Sequence, residues 1–298
     1  MNMSDFKINS IATKQGQHGP VISGVSTINS TGCMKIPSGN QSNRVGLSTY
    51  VLNGTIPSNG LRILLDAGDL SSNDTNDPEN VWRNLSDHPT KGDFTFDTIG
   101  TITRTTGATG SIELSGGTSG AIIGSERSND LFKKSGGGTL FLILKPDDVS
   151  TRQTIISGYA PSDTNRWDFE ISSNKITGGN HNTDLYYTTA STISADTTIT
   201  LGIVLDTSED RLSGISTSQS GNVQTYYLNG SLDSNHAFPV SLNSTWQTET
   251  YVALGRRPTS KTNFEYNGEF FVFIVYDRPL DADEILQLHN AFKDRYGL

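Results

Sequence analysis

Short apolar runs bounded by Gly, Ser, Asn and Pro recur from residue 61 to the end of the chain. Runs of this length, rich in β-branched and aromatic residues and separated by turn-forming residues, are typical of strands in an all-β domain. The clearest predicted strands are 61–65, 139–144, 153–157, 167–172, 199–205, 224–228, 251–254 and 270–276. The pattern therefore predicts an antiparallel sandwich of two sheets over residues 61–298.

Strict alternation of apolar and charged residues marks the run 166–171. Successive side chains of a strand point to opposite faces of the sheet, so we expect one set in the core and the other in solvent. The core set is Trp167, Phe169 and Ile171, and the solvent set is Arg166, Asp168 and Glu170.

Two further signals refine the sheets. The run 270–276 is apolar at every position, as expected of a central strand covered on both faces. Asn229-Gly230 follows an apolar run and predicts a tight hairpin, because both residues tolerate the positive φ of a type I′ turn.

One helix is predicted, at the C-terminal end. Asp281 and Glu284 form a capping-box pair, and Gly297 offers a C-terminal cap. Three apolar residues then fall on one helical stripe, which predicts that the helix packs on the sandwich. They are Ile285, Leu288 and Phe292.

Residues 1–60 differ from the rest because Gly and Ser repeatedly interrupt short β-branched pieces. This stretch has too few large apolar side chains to offset the entropy cost of ordering it alone. We expect an extended arm, ordered against a partner or against copies of itself, with a flexible tail as the alternative. Its candidate anchoring residues are Ile22, Val25, Ile28, Met34 and Ile36.

Net charge and cysteine content narrow the classes of function. A formal charge of −9 and a pI near 5.0 argue against nucleic-acid binding, which needs clustered Lys and Arg, and against an anionic membrane surface. Cys33 is the only cysteine, so the fold must form without an intrachain disulfide. No secretory signal and no run of 18 apolar residues is evident, so we expect folding in a cytoplasm and no membrane insertion.

Several segments, in order, resemble the concanavalin A-like, laminin-G-like jelly-roll family. They are LRILLDAGDLSSND, VWRNLSD, TLFLILKPDD, YYLNGSLD, VALGRRP and FFVFIVYDRPLDADEILQLHNAFKDRYGL. The last block carries the family's Tyr-x-Arg-x-Leu turn at Tyr276, Arg278 and Leu280, followed by a short helix. The resemblance implies a jelly roll and a sugar-binding or adhesive module.

A second resemblance concerns residues 30–39, STGCMKIPSG, with the preceding GQHGPVISGVSTIN. This stretch is similar to segments near domain junctions in structural proteins of tailed bacteriophages, those of marine cyanobacteria in particular. The Pro-rich continuation common in fibres is absent after Arg44. The resemblance implies a virion structural protein of the fibre, tail, neck or capsid decoration. The expected partners are other virion proteins, copies of the chain in a trimer or ring, and host surface polysaccharide.

The enzymatic alternative depends on paired carboxylates. One group of glycoside hydrolases on this fold carries Glu-x-Asp-x-Glu on a strand, and the nearest match here is Arg166, Asp168 and Glu170. An arginine cannot act as the nucleophile, so we predict no catalysis and interpret the acids as a solvated face. A free carbohydrate-binding adhesin remains the other alternative.

The sequence offers two candidate binding sites, each with a simpler interpretation. Sugar recognition needs aromatic faces beside amides or carboxylates, and the candidates are Trp246, His181, Asn182 and Tyr186, which could instead pack on the sandwich. Asp66 and Asp69 open an acidic loop that could hold calcium or could simply be solvated. No cofactor is predicted apart from that calcium.

Overall fold

A computed structural model describes eleven stretches of the chain. They are residues 55–76, 79–86, 92–96, 101–115, 122–127, 137–159, 167–180, 185–206, 222–238, 251–257 and 264–298. All belong to one of two compact units of the chain, Val45–Leu298. The predicted arm residues Ile22, Val25, Ile28, Met34 and Ile36 lie outside the described residues, and the boundary near residue 60 stays a prediction.

The described residues form sixteen strands and one helix. The strands are β1 Leu61–Asp66, β2 Val81–Trp82, β3 Phe94–Phe96, β4 Ile102–Arg104, β5 Ile112–Ser115, β6 Ile122–Arg127, β7 Gly137–Pro146, β8 Gln153–Tyr159, β9 Trp167–Ser172, β10 Lys175–Asn180, β11 Leu185–Thr188, β12 Ile199–Asp206, β13 Asn222–Leu228, β14 Ser231–Phe238, β15 Tyr251–Leu254 and β16 Asn267–Tyr276. The helix α1 is Ala282–Tyr296. Every clear strand of the sequence analysis is present.

The strands pair into two antiparallel sheets of eight strands each. Sheet I has the order β14-β13-β12-β7-β16-β5-β4, and β1 also pairs with β16 beyond the end of β5. Sheet II has the order β11-β10-β9-β8-β15-β6-β3-β2. The predicted jelly-roll sandwich of two antiparallel sheets with one C-terminal helix is confirmed.

The main core fills the space between the two sheets. Trp167, Phe169 and Ile171 of β9 are fully buried there, as the alternation predicts. Aromatic rings meet across this layer: Phe94 contacts Phe273 edge to face, with ring centroids 5.6 Å apart. Such pairs add about 0.5–1.5 kcal/mol beyond the burial of their area.

A second apolar cluster lies on the outer face of sheet I, under α1. Strand β16 contributes to both clusters, because Phe273 faces the inter-sheet core while Ile274 faces the helix. This arrangement confirms that the run 270–276 is a central strand covered on both sides. The helix packs through Ile285, Leu288 and Phe292, all fully buried.

The local signals for the helix ends and the hairpin are also confirmed. The Asp281 side chain accepts from the backbone N–H of Glu284, whose side chain accepts in turn from the backbone of Asp281. Gly297 ends the helix in the left-handed conformation at φ 69°. Asn229 and Gly230 join β13 to β14 with φ values of 50° and 75°, as a type I′ turn requires.

Replacing Phe292 by Ala is expected to lower the free energy of unfolding by about 3–5 kcal/mol, because it opens a cavity under α1. Leu286→Ala on the same helix is the matched control. Its side chain is 43% exposed, so the expected loss is below about 0.5 kcal/mol. Urea denaturation of the full chain measures both values, and similar losses would contradict the packing of α1.

Candidate functional site

The two sheets differ in what their outer faces carry. The outer face of sheet I is apolar and covered by α1. The outer face of sheet II carries hydroxyls, carboxylates and guanidinium groups, and in the described part of the chain no helix packs on it. We call one group of side chains there the polar face. It consists of Arg152, Asp168, Glu170, Tyr186, Arg257 and Phe264.

Strand register positions these side chains in two rows across four strands. One row runs from Ser157 through Asp168 and Gly179 to Tyr186. Because Gly179 has no side chain, nothing from β10 separates Asp168 from Tyr186 in that row. The neighbouring row contains Glu170, with Thr154 on one side and Thr177 followed by Thr188 on the other. The hydroxyls of these last two threonines lie 3.1 Å apart.

An ion-pair network joins the two carboxylates of β9 to two arginines. The Nη2 of Arg257 donates to Oε1 of Glu170, and its Nε lies 3.2 Å from Oδ2 of Asp168. The latter is a charge contact without the alignment of a hydrogen bond. The Nε of Arg152 donates to Oε2 of Glu170. Both oxygens of Glu170 are therefore engaged by guanidinium groups.

This geometry corrects the prediction that Asp168 and Glu170 lie in solvent. Their side chains are 0% and 1% exposed. The alternation placed them correctly on the face opposite the core. It gave no sign of Arg257, 87 positions away in sequence from Glu170, whose positive charge makes their burial tolerable. Arg166 lies outside the described residues.

Burial controls the ionisation of the polar face. It raises the pKa of Glu170, and the charge of Asp168 acts in the same direction, against the opposing effect of the two arginines. Because its pKa is raised in the folded state, the contribution of Glu170 to stability is fully present at pH values below the ordinary pKa of a glutamate. This contribution is lost as the pH rises through the shifted pKa. Burial followed by the same two carboxylates also raises the pKa of Tyr186. Its phenol therefore stays protonated.

The ring of Phe264 contacts both arginines of the polar face. The Cζ of Arg257 lies 4.4 Å from its ring centroid and that of Arg152 lies 5.1 Å from it, both within cation–π range. The backbone carbonyl of Phe264 accepts from Thr154 of β8 at 2.7 Å, which fixes the ring beside the strand.

Of the four predicted sugar-binding residues, Tyr186 is described and lies on the polar face, half-buried. Trp246, His181 and Asn182 lie outside the described residues, so their part in binding stays a prediction. Sequence reasoning missed Arg152, Arg257 and Phe264. For Arg257 the available signal was the arginine pair at 256–257, one residue after the strand 251–254.

The two predicted calcium ligands have different hydrogen-bond partners. Asp66 is fully buried, accepts from the N–H of Gly68 at 2.9 Å and forms an ion pair with Arg295 of α1. Asp69 instead accepts from the N–H of Ser71 at 2.8 Å in an exposed turn. Within the described stretches, no three His, Cys, Asp or Glu side chains come together in a way that could hold a metal ion. Calcium binding stays a prediction.

Within the same stretches, no helix has the length and apolar character needed to span a membrane.

No protein-family model and no curated protein sequence matches the chain. Among solved structures, the binding domain of botulinum neurotoxin serotype C1 matches with a TM-score of 0.55 at 12% identity, over 78% of this chain and 52% of that one. A type C structure titled for cell entry dependent on two ganglioside molecules matches with a TM-score of 0.53 at 13% identity, over 78% and 51%.

A Trypanosoma rangeli sialidase also matches, with a TM-score of 0.55 at 12% identity, over 80% of this chain and 34% of that one. The chain thus spans about half the length of the neurotoxin domains that it resembles. At this level of identity the likeness shows the fold, a lectin-like jelly-roll sandwich.

Replacing Arg257 by Met is expected to lower the free energy of unfolding by about 3–5 kcal/mol at neutral pH, because two buried carboxylates lose their shared cation. The loss should shrink towards pH 4, since without Arg257 the pKa of Glu170 rises further and the acid takes up a proton. Chemical denaturation across this pH range measures the effect.

Lys145→Met is the control, because its pair with Glu269 is partly exposed and should contribute less than about 1 kcal/mol. Equal losses for the two variants at neutral pH would contradict the role given to Arg257.

Proposed function

We propose that the chain is an adhesion module that binds glycans through the polar face of sheet II. The observation that carries the proposal is the contrast between the two outer faces. Sheet I is covered by α1, whereas sheet II presents the guanidinium of Arg152 and the hydroxyls of Thr177 and Thr188, which an underlying network of buried carboxylates holds in order. These are the groups that hydrogen-bond sugar hydroxyls.

Tyr186 and Phe264 add aromatic surface beside these polar groups. A sugar ring offers C–H patches as well as hydroxyls, and an aromatic face next to hydrogen-bonding groups suits both. The network of Arg257, Asp168 and Glu170 fixes the polar groups before any ligand arrives, which lowers the cost of binding. The fold also supports this function by analogy, because solved structures that share it include a neurotoxin binding domain and a type C neurotoxin whose cell entry depends on two ganglioside molecules.

We also propose that the module belongs to a virion, as a fibre, tail, neck or decoration protein assembled in the host cytoplasm. The support is the resemblance of residues 30–39 and their flank to phage structural proteins. In this proposal residues 1–60 anchor the chain to other virion proteins and hold it in a trimer or ring. The sandwich then projects towards host surface polysaccharide. A free adhesin is the competing hypothesis.

Glycan degradation is the second function to test, because Asp168 and Glu170 are paired carboxylates on a jelly-roll sheet. A general acid or nucleophile needs an oxygen that can reach the glycosidic bond. Both oxygens of Glu170 accept from arginines, and the raised pKa of Tyr186 does not suit a nucleophilic phenolate. We therefore propose a non-catalytic role, and a reducing-sugar assay on bound glycans checks it.

The full chain is expected to bind a subset of bacterial surface glycans on an array, and Tyr186→Ala should weaken that binding roughly fivefold to tenfold through loss of its aromatic face. Tyr186→Phe should lose less, because it keeps the ring. Leu232→Ala is the control, since this side chain is 56% exposed on β14 of sheet I. Blank arrays, or equal effects of the Tyr186 and Leu232 changes, would refute binding by the polar face.

Mass spectrometry of purified virions is expected to detect the chain, and deletion of residues 2–58 should abolish its incorporation because the anchor is lost. Tyr186→Ala is the control and should be incorporated normally, since it changes only the sandwich. Unchanged incorporation of the deletion variant would refute the anchoring role, and absence of the full chain from virions would favour the free adhesin.

A further inference from the structure

We propose that Arg152 is a carboxylate-binding residue and that the glycan recognised by the polar face contains an acidic sugar, a uronic or sialic acid. This inference rests on the proposed function and names the class of ligand at the same site.

The guanidinium of Arg152 donates to the protein through Nε alone among the described residues. Its Nε donates to Glu170, while its two terminal nitrogens, Nη1 and Nη2, have no hydrogen-bond partner among the described residues. The side chain is 40% exposed, in contrast to the buried Arg257. A guanidinium with both terminal nitrogens available presents a planar pair of donors, which matches the two oxygens of a carboxylate.

The loop before Arg152 is fixed by hydrogen bonds within it. The carboxylate of Asp148 accepts from the N–H and hydroxyl of Ser150, at 2.8 and 2.7 Å, and from the hydroxyl of Thr151. The hydrogen bonds from Thr151 and Ser150 hold the pKa of Asp148 below its ordinary value. The carboxylate is therefore ionised at neutral pH and keeps these hydrogen bonds.

The residue after Arg152 is also fixed. The side chain of Gln153 donates to the backbone carbonyl of Asp148 at 3.0 Å and accepts from the N–H of Asn267 at 2.9 Å. The side chain of Arg152 is held by two contacts, Glu170 at its Nε and the ring of Phe264 near its Cζ. A pre-ordered arginine loses little side-chain entropy when it binds, which is unusual for an exposed one.

The two arginines of the polar face differ in their access to a ligand. Arg257 is buried and faces both Asp168 and Glu170, so it has no charge left for a ligand. Arg152 is then the single cation on the polar face that reaches solvent. One guanidinium suits a monoanionic carboxylate better than a phosphate, whose larger charge is usually met by several cations.

The test measures binding of the full chain by calorimetry to two acidic probes and their neutral partners. The probes are trigalacturonic acid against its methyl ester, and sialyllactose against lactose. We expect a preference of roughly tenfold or more for at least one acid over its neutral partner, and the responding pair distinguishes a uronic from a sialic acid. Arg152→Gln should abolish the preference, whereas Arg152→Lys should keep a reduced one because the charge remains without the fork.

Lys175→Gln is the matched control, because it removes one positive charge from β10 on the outer face of the same sheet, two positions from Thr177. It should leave the preference unchanged. Thermal melts establish that each variant is folded, and Arg152→Lys decides the question if Arg152→Gln is not.

Three results would overturn the inference: a preference that survives Arg152→Gln, equal loss in the Lys175 control, or no preference for either acid. Neutral glycans that still bind in a manner dependent on Tyr186 would then leave the proposed function standing. Failure of every glycan, acidic and neutral, would refute both.

Discussion

The structure depends on burial of the apolar side chains of β16 on both faces of the strand. One face completes the core between the sheets, and the other forms the floor on which α1 packs. Because hydrophobic stabilisation scales with the apolar area removed from water, a strand that is buried on both faces contributes about twice as much as a strand that is buried on one face. Three strands pair with β16, so sheet I is organised around it.

This constraint also explains where function can lie. An outer face that is apolar must be covered, and sheet I therefore has little surface to offer a ligand beside α1. Sheet II is amphipathic, with apolar side chains towards the core and the polar face on its other side. The side chains there could not be left unpaired, since a buried carboxylate without a cation is costly. Arg257 meets that need, and the same network gives the polar face a fixed geometry.

The sequence was sufficient for eight of the sixteen strands, the hairpin, the helix and its caps, because each of these depends on residues close together in the chain. Alternation in 167–171 correctly separated the two faces of β9. It could not reveal that Asp168 and Glu170 are buried, because their partner Arg257 comes from a distant strand end and only the sheet order brings it there. Asp66 is a similar case, since its partner Arg295 lies on the last helix. Of the four sugar-binding candidates, Tyr186 is the one that lies within the described residues.

The pairing of β1 with β16 has a consequence for synthesis. Arg62 and Asp277, which form an ion pair beside this pairing, are 215 positions apart in the chain. A ribosome adds roughly 5–20 residues per second, so β1 waits on the order of 10–40 seconds for its neighbour to emerge. During that interval an apolar strand with an unpaired edge is exposed to other nascent chains. Production of this protein should therefore be sensitive to translation speed and to the supply of chaperones that shield such segments.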